Sequence, residues 1–196
     1  MTDEPDILLA SASPRRRELL DLLGVRYRAW SADIDESRLA DEAPDAYVER
    51  LARAKAAAGR QAHGNERPVL GADTIVLLDG DILGKPRDRA HARDMFSRLA
   101  GRHHEVLTAV AVVATDGRVF GAINRTRVEF GEVPAHWVDH YATLDEPMDK
   151  AGAYAVQGLA GQWIQRVEGS YTGVMGLPLF ETAELLRQAG LALTGR

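Results

Sequence analysis

From Val69 to Leu78 the chain is apolar except at its middle, where Asp73 and Thr74 stand between Val69-Leu70-Gly71-Ala72 and Ile75-Val76-Leu77-Leu78. A run of this kind reads as a buried strand. A carboxylate inside it must meet a cation, a metal or several hydrogen-bond donors, because burying it alone is expensive. Gly71 and Ala72 are expected to clear space in front of Asp73. The competing reading is an aspartate at a bulge or strand end, held by backbone donors. Asp79-Gly80 is a two-residue hairpin turn into Ile82-Leu83. Such a turn pairs Leu78 with Asp81 and sets Lys85 opposite Thr74, whereas a turn one residue longer sets it opposite Ile75. Either register brings Lys85 into the neighbourhood of Asp73.

Around this strand the pattern alternates. Asp6 to Ala10 reads as a short buried strand, and Ser13-Pro14 opens a helix through Leu19, Leu20, Leu22 and Leu23 to Gly24, with serine as cap, proline at the first turn and glycine past the end. A strand is expected over Tyr27 to Ala32 and a long helix from Pro44 to about Ala62. A further helix runs from Asp88 to Leu99. Two long strands, His104 to Ala114 and Arg118 to Phe130, meet at Asp116-Gly117. A helix over Pro134 to Leu144, a loop-rich stretch from Asp145 to Gly161, a strand near Trp163 to Val167 and a last helix from Pro178 to Gly190 complete the chain. With no repeat, linker or low-complexity tract, residues 1–196 read as a single α/β domain with a mixed sheet built mostly of antiparallel hairpins.

Composition limits what such a domain can do. At 196 residues and 45% hydrophobic content the chain can bury a core. It has no cysteine, which excludes disulfides, thiolate metal sites and a cysteine nucleophile. The acidic start Met1-Thr2-Asp3-Glu4-Pro5-Asp6 is the wrong pattern for a signal peptide. No stretch approaches the roughly 20 apolar residues of a membrane span. The expectation is therefore a cytoplasmic protein without a membrane partner. A net charge of -5 argues against nucleic acid as a partner, so a phosphate ligand would have to be held locally. Of 24 cationic side chains only Lys55, Lys85 and Lys150 are lysine, which singles them out as compact point charges.

Ser11-Ala12-Ser13-Pro14-Arg15-Arg16 lies where a strand gives way to a helix. The unpaired N–H groups and positive end of a helix favour an anion by roughly 0.3–1 kcal/mol. Two hydroxyls and two guanidinium groups beside them, from Ser11, Ser13, Arg15 and Arg16, make a phosphate cradle. An ordinary capped helix with solvated arginines is the alternative. On the long helix, Val48, Leu51 and Lys55 share the stripe that faces the core, so Lys55 either snorkels to water or, in a catalytic reading, extends past the core edge into the same cleft as Asp73. Gly84-Lys85-Pro86 is not a P-loop. Asp149-Lys150-Ala151-Gly152-Ala153-Tyr154 and Gln157-Gly158 set polar groups among small residues. His136 and His140, four apart, lack a glutamate base and read as a helix face, and His103-His104 as a strand entrance. Gly169-Ser170-Tyr171-Thr172-Gly173 either turns the chain or holds a nucleotide.

The string Leu9-Ala10-Ser11-Ala12-Ser13-Pro14-Arg15-Arg16, with Glu18-Leu19-Leu20, resembles the opening signature of the Maf family of nucleotide pyrophosphatases. Gly71-Ala72-Asp73-Thr74, Gly84-Lys85-Pro86, Asp149 to Tyr154, Gln157-Gly158 and Glu168-Gly169-Ser170-Tyr171 follow in that family's order over nearly the whole chain. The resemblance implies an elongated, ITPase-like α/β fold of two lobes with a central cleft. It also implies hydrolysis of a nucleoside triphosphate to monophosphate and pyrophosphate with Mg²⁺ or Mn²⁺, and a homodimer. It makes Asp73 the proton acceptor and Arg15, Thr74 and Gln157 the substrate-selecting positions. That trio fits the branch acting on dTTP and UTP, since a glutamine offers both a donor and an acceptor to a uracil or thymine edge. Ala155 departs from the glycine usual there.

In the mechanism this suggests, the triphosphate's charge is shared by the helix N-terminus after Ser13, Arg15, Arg16, Lys55, Lys85 and the metal, with Ser11 and Ser13 binding substrate through their hydroxyls and Glu36 joining Asp73 as metal ligand. The rivals are a nucleotide-binding regulator of cell division that does not hydrolyse its ligand, and a phosphatase releasing orthophosphate.

Overall fold

The computed structural model describes residues 4–193. In chain order the elements are β1 (Ile7–Ala10), α1 (Pro14–Leu22), β2 (Tyr27–Trp30), α2 (Pro44–His63), β3 (Val69–Leu78), β4 (Asp81–Leu83), α3 (Arg89–Leu99), β5 (His103–Val113), β6 (Val119–Phe130), α4 (Ala135–Tyr141), β7 (Ile164–Glu168), α5 (Tyr171–Met175) and α6 (Leu179–Gln188). One mixed sheet of seven strands has the order β2-β1-β3-β5-β6-β7, with β4 hydrogen-bonded to β3. The sheet is mixed, as expected, with its parallel part at one end. β1 is parallel to both neighbours, β2 and β3, because α1 and α2 cross over between strands that a hairpin would have reversed. Antiparallel pairing is seen for β3 with β4 and for β6 with β7.

The chain divides into two compact units. The first takes the chain as far as Asp73, with Thr108–Asn124 and the stretch from Gly176 onward. All four residues of β1 are buried, as expected for a strand with parallel neighbours and covered faces. Leu8, Ala10 and Val69 form a small core with Trp30 against it. On α2 the buried residues are Val48, Leu51, Ala52, Lys55, Ala56 and Gly59, a helical stripe that places a lysine on the core face.

The second unit is Thr74–Leu107 with Arg125–Met175. Its core gathers Val76, Leu78, Phe96, Val128, Phe130, Tyr141 and Tyr154. Asp79 and Gly80 both take positive φ, 53° and 88°, the backbone that a two-residue turn between right-twisted strands requires. The stretch expected as loop from Asp145 to Gly161 contains 3-10 turns at Ala151–Ala153 and Leu159–Trp163, which have no periodic signature to be read. The expected glycine-rich turn is instead the one-turn helix α5, where Ser170 Oγ accepts from Gly173 N at 3.0 Å and caps it.

His104, at the entrance of β5, is buried; its Nε2 lies 2.7 Å from the Tyr154 hydroxyl and its ring stacks on Phe130. Burial, and secondarily the neighbouring His103, lowers its pKa to about 3. The folded chain thus holds this imidazole neutral, while the unfolded chain takes up a proton near pH 6.5. His104 costs no stability above that pH and removes it progressively as pH falls toward about 3, by up to roughly 1.4 kcal/mol per pH unit. Urea unfolding of His104→Gln beside the parent should give a stability difference that is flat above pH 7 and shifts in favour of the variant below pH 6. A difference independent of pH would show that the imidazole is not held neutral.

Candidate active site

The link Ser11-Ala12-Ser13 carries β1 into α1. Ser13 holds the expected cap position but its side chain makes no capping hydrogen bond; its N–H donates instead to Ser11 Oγ at 3.2 Å. The first-turn N–H groups of α1 are therefore not closed by the Ser13 hydroxyl, the condition under which a helix start can receive an anion. Ser11 Oγ also accepts from Arg16 Nη1 at 3.1 Å, and Arg16 Nε donates to the carbonyl of Gly176 at 2.8 Å. Arg16 is thus a buried, clamped side chain and not the solvated arginine of the alternative reading. Burial lowers its pKa, while the charge of Asp73, and less strongly Glu36, opposes that and Arg15 adds to it. Arg15 itself is half-buried.

Asp73 is 8% exposed and Lys55 9%. Lys55 Nζ donates to Asp73 Oδ1 at 2.7 Å and lies 2.8 Å from Glu36 Oε1. The Glu36 side chain is 56% exposed, so one ammonium joins a buried acid to a half-solvated one. Two carboxylates against one lysine leave a net negative charge, and Arg16 lies within its field.

The lysine reaches the strand because α2 rests directly on it. A Cβ at Gly71 would stand 2.4 Å from the carbonyl oxygen of Ala52 and 2.6 Å from the N of Ala56, and one at Gly59 would stand 2.7 Å from Val69 Cγ1. Gly71 and Asp73, two apart on β3, share the face covered by α2. The space that Gly71 clears is accordingly taken by a helix backbone, a correction to its expected use in front of the acid.

The segment that brings Glu36 to Lys55 has no regular structure and is fastened to α2. Tyr47 donates its hydroxyl to the Glu36 carbonyl at 2.8 Å and Arg50 Nη2 donates to the Ser37 carbonyl at 3.0 Å. Arg50 also forks onto the Glu42 carboxylate, at 2.6 and 2.8 Å. Burial, then the charges of Asp73 and Glu36, raise the pKa of Tyr47 and keep it a donor. Sequence reasoning missed these three residues. The polar partners of Tyr47 and Arg50 are loop carbonyls and a carboxylate eight or more positions away along the chain, which no local pattern on α2 announces.

Thr74, Lys85 and Gln157 belong to the second unit. Of the two registers left open for the hairpin, the first is observed, with Val76 opposite Leu83 and Leu78 opposite Asp81. β4 stops at Leu83, so the ladder ends before the Thr74–Lys85 pair; Thr74 is half-buried and Lys85 exposed. The Gly84 carbonyl accepts from Gly152 N at 3.1 Å, which ties the Gly84-Lys85 segment to the Asp149–Tyr154 run. Lys150 is engaged within the unit, donating to the Glu146 carbonyl at 2.7 Å and pairing with Asp149. Gln157 is exposed on a turn closed by Gly158 N to Ala155 O at 3.1 Å. Beneath it Glu146 accepts from Tyr141 Oη at 2.8 Å and Leu159 N at 3.1 Å. Ala155 is buried and its φ is not positive, so the methyl where a glycine was expected is accommodated without backbone strain. His136 and His140 are both exposed on α4.

Fold and site together define a mixed α/β protein whose strand-borne acid is shared with a second acid through one buried lysine, in a unit that also carries a basic strand-to-helix turn. The chain belongs to the family described as Maf-like protein, whose model matches residues 6–189. It is 50% identical over 199 residues to the dTTP/UTP pyrophosphatase of Burkholderia pseudomallei (strain 1710b), covering 96% of this chain and 95% of that protein. It is likewise 50% identical over 190 residues to the dTTP/UTP pyrophosphatase of Hahella chejuensis (strain KCTC 2396), covering 95% and 94%. Among solved structures, a HAM1 protein from Coxiella burnetii shares the fold, with a TM-score of 0.51 at 14% identity over 94% of this chain and 100% of that one.

The helix-on-strand contact supplies a test of what positions the lysine. Gly71→Ala should lower the unfolding free energy by about 3 kcal/mol, the overpacking range for a tight core. Gly84→Ala, where an added Cβ meets nothing within 4 Å, should change it by less than about 0.5 kcal/mol. Equal midpoints in urea for the two variants would mean that α2 does not rest on β3 as described.

Proposed function

We propose that this chain hydrolyses dTTP and UTP between the α and β phosphates, releasing the nucleoside monophosphate and pyrophosphate, as a house-cleaning enzyme. The observation that carries the proposal is the buried Lys55–Asp73 bond, in the same unit as the Ser11–Arg16 turn. A carboxylate held in place by a lysine can orient a water and take its proton, and a positioned base of this kind contributes roughly 10²- to 10⁴-fold. Lys55, Arg15, Arg16, Ser11, Ser13 and the N-terminus of α1 offer charge and donors to phosphate oxygens, where preorganised electrostatics contribute most in phosphoryl transfer. In the second unit, Lys85 and Thr74 are assigned to substrate binding and Gln157 to reading the base, on the strength of the family motifs.

A divalent cation fits the acids present. One oxygen of each, Asp73 Oδ1 and Glu36 Oε1, is on Lys55 Nζ at 2.7 and 2.8 Å, so an ion would bind beside that ammonium and not in its place. Two carboxylates suit an ion that completes its shell from water and substrate phosphates, and Mg²⁺ or Mn²⁺ bound there would supply charge neutralisation. The setting proposed is the cytoplasm and the assembly a homodimer. Among the described residues no helix is long and apolar enough to cross a membrane.

Product analysis separates this reading from its rivals. With Mg²⁺ and dTTP the chain should yield dTMP and pyrophosphate in equal amounts; a regulator returns dTTP unchanged and a phosphatase yields orthophosphate. Asp73→Asn should reduce pyrophosphate release by at least about 10²-fold with its circular dichroism spectrum unchanged. Turnover by that variant near the parent rate would take Asp73 out of the chemistry.

A further inference from the structure

Glu36 reaches Lys55 from a segment without regular structure and with more than half of its side chain in water. An exposed acid on such a segment has no reason of its own to stay on a buried ammonium, since solvated ion pairs contribute little and long side chains lose freedom in making them. What restrains it is the backbone on either side of Glu36. Its own carbonyl accepts from Tyr47 Oη and the next carbonyl, that of Ser37, from Arg50 Nη2. Two consecutive peptide units are thereby held on α2, the helix that also carries Lys55.

The far end of the segment is fixed by the same guanidinium. Arg50 forks onto Glu42 through Nε and Nη2, and Glu42 Oε2 accepts in addition from Leu39 N at 3.1 Å. The Arg38 side chain closes the turn from inside, donating Nε to the Glu42 carbonyl at 2.9 Å. The Glu42 side chain is 8% exposed, so this bidentate pair is screened less than a surface one and has the planar match that arginine supplies and lysine does not.

We propose that Arg50, seconded by Tyr47, is a positioning residue: it clasps residues 36–42 onto α2 and so holds the Glu36 carboxylate on Lys55, keeping that lysine shared between two acids. The side-chain hydrogen bonds of Tyr47 and Arg50 go to residues 36, 37 and 42, and their role is exerted through Glu36. The effect on catalysis rests on the hydrolysis proposed above, while the effect on the segment does not. Residues that orient such groups from behind are typically worth about 10- to 100-fold in activity or metal affinity when removed.

The experiment uses the full chain and two readouts. Hydrogen exchange of the amides of residues 33–42 should be at least about tenfold faster in Arg50→Met, with the β1, β3 and β5 amides unchanged. Tyr47→Phe, which removes one hydrogen bond and little volume, should show a smaller increase confined to residues near Glu36. Pyrophosphate release should fall about 10- to 100-fold in Arg50→Met, be restored only in part by Arg50→Lys, and show little further loss when Arg50→Met is added to Glu36→Gln.

Unchanged exchange in residues 33–42, in both Arg50→Met and Tyr47→Phe, would overturn the clasp whatever the activity does. Equal rate losses from Arg50→Met in the parent and in Glu36→Gln would show that Arg50 does not act through Glu36. If the parent itself releases no pyrophosphate, the function proposed above fails while the exchange result still decides the clasp.

Discussion

An ionised acid can lie in the apolar strand β3 because an ammonium reaches it at 2.7 Å from the helix above. A charge stripped of water without such a partner destabilises a fold by several kcal/mol, and even a paired one seldom improves on apolar side chains of the same volume. The pair is therefore a constraint the rest of the first unit must satisfy. The helix has to lie within one lysine's length of the strand, which places glycine at 59 and 71 and alanine at 52 and 56 on the seam. Stability alone gives no account of a buried Lys55–Asp73 pair.

Much of this was legible in the chain itself. The ten-residue apolar run marked β3, Asp79-Gly80 marked its turn, and the stripe Val48, Leu51, Lys55 placed the lysine on the buried face, all through periodicities that act over one or two turns. That a cation would meet the acid could be anticipated, because an acid in such a strand demands one; that it would be Lys55, shared with Glu36, could not. Local pattern could not show that Arg16 binds the carbonyl of Gly176, since that bond closes 160 positions along the chain. It could not show the backbone contact at Gly71, which depends on how a helix settles on a sheet. The parallel pairing of β1 on both sides escaped for a related reason: hairpin turns leave signatures, whereas crossovers through helices leave none.

The two units fix their irregular segments by a similar device. In the first, Tyr47 and Arg50 reach the carbonyls beside Glu36 and the carboxylate of Glu42. In the second, Glu146 receives the hydroxyl of Tyr141 and the N–H of Leu159 beneath the turn that presents Gln157. Side chains of α2 satisfy loop carbonyls directly in the first unit; in the second, Tyr141 of α4 holds Glu146, itself in the irregular stretch, and Glu146 in turn satisfies the N–H of Leu159.

The scarcity of lysine has a practical consequence. Arginine does the stapling: Arg60 spans the carbonyls of Ala114 and Thr115, and Arg102 binds Asp79 through both carboxylate oxygens. Side-chain primary amines are left at only three positions, one buried against Asp73, one bonded to the Glu146 carbonyl and one, Lys85, open to water. Because acylating reagents need an accessible, uncharged amine and guanidinium groups resist them, this polypeptide discriminates sharply among its own nitrogens. Among the lysines, a mild anhydride would mark Lys85 ahead of the other two.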